Sequence, residues 1–174
     1  METLATQLEA QLDYEVRPLT HQDEDQIYAL QKQHQAYFDL FLDHRLTKQE
    51  AVRDLDEVAS DATPAQKNYL GLFDHGQLIA TLDLTIDYPL PQLVWLGQYF
   101  VDAEHLSEAD QRAIMATVLT TLKALTAVQV QLLVLKADQA GRDFYEAVGF
   151  QAISETRTRI NGQFVDAIVY QRAL

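Results

Sequence analysis

A strand, a helix and a second strand follow one another in the C-terminal half of the chain, and this run constrains the fold most. Leu93–Val101 is rich in aromatic and β-branched residues, which favours a central strand. Ser107 then begins a helix, and Val128–Leu135 is a nearly unbroken apolar strand. The helix has apolar residues every three or four positions: Ile114, Val118, Leu122 and Leu125. Together these elements predict a βαβ crossover with two parallel strands.

Two hairpins and a further helix surround this crossover. Asp74-His75-Gly76 and Asn161-Gly162 are tight-turn sequences, each between two segments of strand character. These segments are Asn68–Phe73, Gln77–Leu84, Ile153–Ile160 and Phe164–Tyr170. A helix over Gln139–Ala147 is predicted to stop at Gly149, since glycine commonly follows a helix C-terminus.

The sequence pattern of the N-terminal third predicts one strand and three helices. Leu4, Leu8 and Leu12 indicate a short helical arm over residues 1–13, followed by a strand at Tyr14–Leu19. A longer helix has an apolar side at Ile27, Leu30, His34, Tyr37, Phe38 and Phe41. Another helix is predicted over Thr47–Ala59, because Thr47 and Glu50 have capping-box spacing.

Composition limits the class of protein. A chain of 174 residues with 48% hydrophobic content predicts a single domain spanning residues 1–174. It has no cysteine, which excludes disulfides and thiolate chemistry. A net charge of −13 argues against nucleic-acid or anionic-membrane partners, and no secretory signal or apolar span is visible, so we expect a cytoplasmic protein. The five histidines have no metal-ligand spacing, and no metal is predicted.

The order of elements, together with three short segments, resembles the GNAT (Gcn5-related N-acetyltransferase) superfamily over nearly the whole chain. The most specific segment is Phe144-Tyr145-Glu146-Ala147-Val148-Gly149-Phe150, after the fifth core strand. The Tyr14–Leu19 strand resembles the first strand of the family, and Asp87-Tyr88-Pro89 before Trp95-Leu96-Gly97 resembles a bacterial small-protein subgroup. The resemblance implies an α/β (α+β) fold: a mixed, mostly antiparallel sheet of about seven strands with a splayed parallel pair, flanked by helices.

This resemblance also implies an activity and a site. In the family, acetyl-CoA lies between the two splayed strands, and its pantetheine arm pairs with the backbone of the fourth strand. Here that strand carries the expected cofactor-binding residues Gln98, Tyr99, Phe100 and Val101. Gly97 either permits a bulge that opens the strands or relieves crowding beside Trp95. The implied reaction is acetyl transfer to a primary amine of a small molecule or peptide.

The pyrophosphate-binding segment departs from the family pattern. It falls at Asp110-Gln111-Arg112-Ala113-Ile114-Met115, where Ala113 and Met115 replace the expected glycines. Nearby carboxylates oppose a bound anion, and Arg112 is one of few cations that could counter phosphate. A second cofactor segment has Asp138 where the family often has asparagine, followed by Phe144. Asp138 can cap the helix but, when ionised, cannot donate a hydrogen bond.

Three residues are candidates for acid–base chemistry. Tyr145 holds the family position of a phenol that protonates the departing thiolate, although a half-buried packing tyrosine fits the same sequence. Asp83 and Asp87 flank the expected acceptor opening and are candidate bases, while Asp87 also suits a turn. His34 either faces the acceptor groove or is a hydrogen-bonded core histidine.

Two functions therefore follow from the sequence. The first is an N-acetyltransferase that uses acetyl-CoA, with Tyr145 as the acid. The second is a GNAT-fold binding or regulatory protein that has lost catalysis, since Asp110–Met115 lacks the family glycines. A homodimer through Trp95 and the last hairpin is compatible with the second function.

Overall fold

Seven strands form one mixed sheet in the computed structural model, which describes residues 2–174. Their spatial order is β1-β2-β3-β4-β5-β7-β6, and only the β4–β5 pair is parallel. The strands are β1 (Glu15–Pro18), β2 (Lys67–Asp74), β3 (Gln77–Thr85), β4 (Leu93–Val101), β5 (Gln129–Leu135), β6 (Gln151–Ile160) and β7 (Gln163–Ala173). The fold class expected from the sequence is confirmed.

Six α-helices flank the sheet. They are α1 (Leu4–Glu9), α2 (Glu24–Lys32), α3 (Gln35–Phe38), α4 (Lys48–Ala51), α5 (Glu108–Ala124) and α6 (Gln139–Ala147). Short 3₁₀ turns occupy His21–Asp23, Arg53–Leu55 and Pro64–Gln66. Within the described residues, none of these helices has the length and apolarity needed to cross a membrane.

The predicted βαβ crossover is confirmed. Ser107 caps α5, whose residues Ile114, Val118 and Leu122 are buried in the main core beneath the sheet. The parallel ladder then joins Leu93–Trp95 to Gln129–Gln131 and goes no further. The two strands therefore separate towards their C-terminal ends, as the sequence predicted.

Both hairpin turns were predicted correctly, because the turn residues tolerate positive φ. His75 and Gly76 have φ of 48° and 82°, and Asn161 and Gly162 have φ of 48° and 79°. A two-residue turn in which both residues have positive φ matches the twist of the paired strands. Each turn therefore joins an antiparallel pair of strands, β2 with β3 and β6 with β7.

Two helix predictions were wrong in extent. The helix predicted over Thr47–Ala59 has only four α-helical residues, because Val52 leaves the helical region at ψ 1° and a 3₁₀ turn follows. The first long helix is broken at His34, whose φ and ψ are −103° and 29°. In both places a side chain at or just after the break bonds to β4. Asp54 bonds to Gln98, and His34 bonds to the Val101 carbonyl. Contacts with the sheet have overridden the local helical pattern.

Candidate active site

The separation of β4 from β5 opens a cleft of about 560 Å³ at the C-terminal ends of the two strands. Residues 97–101 of β4 form one wall and Leu133–Leu135 of β5 form the other. The start of α6 and the loop before it line the cleft as well, with α3 and the residues next to it, between Gln33 and Leu40, on the remaining side. The cleft thus lies where the resemblance implied a cofactor.

Backbone groups of β4 face this cleft without a strand partner. The Asp102 amide donates to the Ile79 carbonyl of β3 at 2.8 Å. Because backbone direction alternates along a strand, the polar backbone groups of Tyr99 and Val101 point the other way, towards β5. The ladder to β5 has already ended, so these groups are free of strand pairing.

His34 occupies one of these backbone groups. Its Nε2 lies 2.8 Å from the Val101 carbonyl oxygen, and its ring is 5.2 Å from the ring of Phe100. Burial lowers the pKa of His34, which keeps the imidazole neutral at pH 7. A neutral imidazole whose Nε2 carries the proton donates to this carbonyl. His34 is therefore a hydrogen-bonded histidine on the wall of the donor cleft, and it does not line the second cavity described below.

A β-bulge at Gly97 marks the point where the strands part. Asp83 pairs with Gln98 and Leu84 pairs with Leu96, which leaves Gly97 as the extra residue on β4. A Cβ built at Gly97 would lie 3.2 Å from Asp83 Oδ2. The predicted bulge is confirmed, and the crowding that glycine relieves comes from Asp83 rather than Trp95.

Tyr145 lies in a row of aromatic rings on the α6 side of the cleft. Its ring centroid is 5.1 Å from that of Phe144 and 5.5 Å from that of Phe150, and Phe144 is 5.9 Å from Tyr99. Burial, with Tyr37 and Asp138 nearby, raises the pKa of Tyr145 above that of free tyrosine. The phenol is therefore protonated at neutral pH and able to donate.

Behind the bulge lies a polar group of five residues, which we call the carboxylate cluster: Asp54, Lys67, Thr81, Asp83 and Gln98. Gln98 donates through Nε2 to Asp54 and accepts from the Thr81 hydroxyl at 3.1 Å. Lys67 Nζ lies 3.3 Å from Asp83 Oδ2, and both side chains are only 13% exposed. One lysine thus balances two carboxylates in a nearly closed site.

Both carboxylates of this cluster have pKa values raised above the ordinary value for aspartate. Burial raises the pKa of Asp83 to about 6, with Lys67 opposing the rise and Asp54 adding to it. Burial also raises the pKa of Asp54, against the effects of Lys67 and Gln98. Asp83 Oδ1 and the Tyr69 hydroxyl are buried without a hydrogen-bond partner in the part of the chain described. Such atoms normally bond to water or a ligand.

A second cavity of about 210 Å³ reaches the cluster at Asp54 and Gln98. Its lining combines one cation, Arg53, with acidic and aromatic side chains: Glu50, Asp54, Glu57, Tyr37, Phe38 and Phe41. Tyr37, Gly97, Gln98 and Phe100 line both this cavity and the cleft. The two spaces therefore approach each other across the bulge, one with a free backbone edge and the other with acidic residues.

The predicted pyrophosphate segment is wholly helical. Residues 110–115 lie within α5, where Ile114 and Met115 are buried in the core and Arg112 and Ala113 are exposed. Of the five predicted binding residues there, Gln111 alone lines the cleft. Its side-chain amide donates to the Leu106 carbonyl at 3.1 Å, and its carbonyl accepts from the Tyr99 hydroxyl at 3.0 Å. The structure does not bring Arg112, Ala113, Ile114 or Met115 to the cleft.

The other predicted site residues separate into three groups, one of which is Asp83 alone, behind the bulge and in the lining of neither cavity. Gln98, Tyr99, Phe100, Val101, Asp138, Phe144 and Tyr145 all line the cleft. Asp87 lies at the opposite end of β4, exposed in the preceding turn, where its Oδ1 accepts from the Gln92 amide at 2.7 Å and its φ is 53°. It stabilises that turn and does not join the cleft. No group of three or more metal-binding side chains occurs among residues 2–174.

Asp54 and Lys67 were missed by sequence reasoning. Asp54 lies on the polar side of a segment with a helical pattern, and Lys67 is the first residue of a strand, so neither position indicated burial. The separations involved are long: Gln98 is 44 residues from Asp54. The one local indication of such a buried charge is a charged residue on the apolar side of a helical or strand pattern, and this indication is weak.

Comparison with solved structures places this geometry in a known fold. An acetyltransferase from Thermus thermophilus superposes with a TM-score of 0.69 at 19% identity, covering 94% of this chain and 98% of its own. PaiA N-acetyltransferase from Thermoplasma acidophilum, solved in complex with coenzyme A, gives 0.64 at 14% identity, covering 94% and 100%. A GNAT-family acetyltransferase from Streptococcus pneumoniae gives 0.60 at 16% identity, covering 93% and 100%.

The sequence alone gives no such match. No family model and no curated protein matches it. The assignment therefore depends on the strand order, the parallel pair that splays, and structural neighbours that are N-acetyltransferases. On this evidence the chain has the GNAT fold.

Proposed function

We propose that this protein is an N-acetyltransferase that moves the acetyl group of acetyl-CoA to a primary amine of a small molecule or peptide. The observation that carries the proposal is the pair of cavities at the Gly97 bulge, since they share Tyr37, Gly97, Gln98 and Phe100. A thioester in the cleft and an amine in the acidic cavity would meet at this point. Direct transfer needs such a meeting, with the reacting atoms held close together.

The donor side uses the free backbone of β4 and the phenol of Tyr145. Backbone N–H groups of Tyr99 and Val101 are available to bond the pantetheine arm and to polarise the thioester carbonyl. The amine nitrogen attacks the carbonyl carbon, a C–N bond forms, and the C–S bond breaks. Tyr145 then donates its proton to the departing thiolate, since its raised pKa keeps the hydroxyl protonated beforehand.

The acceptor side uses the carboxylate cluster. Asp83, with a pKa of about 6, is ionised at pH 7 and can take the proton that the amine loses. Its Oδ1 is buried without a partner in the described residues and Asp83 lines neither cavity, so it would take the amine proton through a bridging water. Asp54 and Glu50 add negative charge to the cavity wall, which favours an acceptor that arrives as an ammonium ion.

One observation favours a second function, a GNAT-fold binding protein without transferase activity. The segment that should cradle the pyrophosphate is helical, and α5 begins with Glu108 and Asp110. If acetyl-CoA does not bind, the cleft would serve another ligand, and Tyr145 would be a packing residue.

A thiol-release assay separates the two functions. The purified chain is mixed with acetyl-CoA and a panel of primary amines, and free CoA is measured with a thiol reagent. The chain has no cysteine, so the protein contributes no background signal. We expect amine-dependent CoA release and an acetylated product detected by mass spectrometry. If calorimetry detects no acetyl-CoA binding and no amine is acetylated, the second function is favoured.

A further inference from the structure

At both helices that begin beside the cleft, a carboxylate of the chain itself takes part in the N-terminal cap. At the start of α5, the Asp110 amide donates to Ser107 Oγ at 3.1 Å, and the Ser107 amide and hydroxyl both donate to Asp110 Oδ2, at 3.2 and 2.8 Å. At the start of α6, the Gly141 amide donates to Asp138 Oδ1 at 3.0 Å. The helix starts, which elsewhere attract phosphate, here have an anion already in place.

The fit at Asp138 is close. A Cβ built at Gly141 would lie 2.3 Å from Asp138 Oδ2, so any larger residue would displace the cap. The space left by the absent Cβ of Gly141 is therefore filled by the Asp138 side chain and is not open to the phosphate of a ligand.

The helical course of residues 110–115 removes the amides that a phosphate would need. In a loop these N–H groups would point outwards, but in α5 they donate along the helix axis, beginning with the Gln111 amide to the Ser107 carbonyl at 2.9 Å. Glu104 and Glu108 are exposed beside this turn. A pyrophosphate placed there would meet negative charge beside the two amides, of Glu108 and Ala109, that the cap leaves without an acceptor.

The lining of the cleft has no basic side chain. Of its 21 described residues none is lysine or arginine, and Asp138 is the one carboxylate. Two basic side chains near the cleft are already bonded to other groups, and Arg112 is exposed outside the cleft lining. His105 Nε2 lies 2.7 Å from Asp74 Oδ2, and Arg142 lies within 3.5 Å of the Tyr170 hydroxyl and the Lys136 carbonyl. A nucleotide with several phosphate charges finds no counter-charge in this lining.

The same lining suits an uncharged arm. It offers the free backbone of Tyr99 and Val101 together with apolar or small side chains at Leu133, Ala137 and Ala140. Pantetheine is a neutral chain with two amides and a terminal sulfur, so backbone hydrogen bonds and apolar contacts are sufficient to hold it.

We propose that the cleft recognises its thioester donor through the pantetheine arm alone, and that the 3′-phospho-ADP part of coenzyme A contributes no affinity. This rests on the proposed acetyltransferase function and narrows its donor class to acyl-pantetheine thioesters, with or without a nucleotide. The protein is then a transferase in which the family's phosphate contacts are replaced by capping within the fold.

Calorimetric titration of the full chain with acetyl-CoA, S-acetylpantetheine and adenosine 3′,5′-bisphosphate tests this. We expect dissociation constants for the two thioesters within about threefold of each other, and no competition by the bisphosphate. At low salt S-acetylpantetheine should bind slightly more tightly, because the net charge of −13 repels phosphates, and added salt should remove the difference. Acetyl-CoA binding more than about 30-fold tighter, or competition by the bisphosphate, would overturn the inference while leaving the transferase function intact. If neither thioester binds, the proposed function fails and the inference fails with it.

Variants locate the donor within the cleft. Glu104→Gln with Glu108→Gln should change the ratio of the two affinities by less than about twofold, whereas a gain restricted to acetyl-CoA would place phosphate at α5 and contradict the inference. Ala140→Trp puts a large ring at the exposed start of α6 and should weaken both thioesters equally, by about tenfold or more. Ala116→Trp, on the exposed side of α5 away from the cleft lining, is the matched control. A loss at Ala140→Trp confined to one thioester would also overturn the inference.

Discussion

Gly97 lies directly against Asp83: a Cβ on the glycine would stand 3.2 Å from the carboxylate oxygen that pairs with Lys67. The bulge that opens the donor cleft and the carboxyl group of the acceptor side are therefore one local structure. Moving either residue moves the other, because the interior on this side of β4 is closely packed.

Gly97→Ala should reduce kcat more than it reduces stability. The new methyl group pushes Asp83 by a few tenths of an ångström, and displacement of a reacting group by less than 1 Å is already costly to the rate. We expect a loss of about tenfold or more in kcat, with a change in unfolding free energy of about 1 kcal/mol.

The control for this variant is Gly76→Ala. Gly76 has φ of +82° and no atom within 4 Å of a built Cβ, so alanine strains the turn without crowding a neighbour. It should lower stability by about 1 kcal/mol and leave kcat unchanged. Equal effects of both variants on kcat would contradict the role of the bulge.

Tyr145→Phe should lower turnover by about 10²- to 10⁴-fold while leaving thioester affinity nearly unchanged, because it removes the acid and keeps the ring. Turnover, thioester binding and melting temperature are measured together. Tyr88→Phe is the matched control, since it removes a hydroxyl from a residue that lines neither cavity. Full turnover in folded Tyr145→Phe would assign protonation of the thiolate to another donor.

The rate should fall below pH 6 as Asp83 is protonated. If Asp83 accepts the amine proton, its pKa of about 6 means that kcat/KM should rise as the pH increases through about 6 and then become constant. Asp83→Asn should lower kcat/KM by about 10²-fold and remove this limb of the pH profile. Asp54→Asn should keep the limb and raise KM for the amine, because Asp54 lines the cavity. An unchanged profile in Asp83→Asn would exclude it as the base.

A pH-dependent contribution to stability is expected from Asp23. Its carboxylate is 5% exposed and accepts from Arg17 at 2.8 and 3.0 Å and from the Thr20 amide, and the Arg17 contact chiefly lowers its pKa. Because the pKa of Asp23 is lower in the folded state than in the unfolded state, the carboxylate stabilises the fold at pH values above the unfolded pKa near 3.8. This contribution is lost as the pH falls through the folded-state pKa.

Asp23→Asn should therefore cost about 1–3 kcal/mol at pH 7 and much less near pH 3, measured by denaturant unfolding at both pH values. Asp25→Asn is the control. Asp25 pairs with Lys48 at 2.6 Å, but its side chain is 92% exposed, and such surface pairs contribute little. A loss in Asp23→Asn that is the same at both pH values would show that packing, not charge, is responsible.

The sequence predicted elements well where the signal is local. Alternation, helical spacing and turn residues with positive φ gave β4, α5, α6 and both hairpin turns nearly to the residue. It failed over Thr47–Ala59, where helical spacing continued but the chain turns at Val52 so that Asp54 reaches Gln98. A hydrogen bond to a distant strand decided that segment, and spacing carries no information about distant strands.

The candidate site divides in the same way. The sequence by itself determined the crossover and the helix that carries Tyr145, since each follows from residues within one short segment, and the family resemblance implied the splay of the two strands. Only the tertiary structure decided that Asp87 belongs to a turn, that residues 110–115 are helical with their phosphate-facing amides used, and that Asp54, Lys67 and Asp83 form one buried cluster. The reason is physical: whether a carboxylate becomes a base, a cap or a turn residue depends on its burial and its partners, and both are set by the register of strands far apart in the chain.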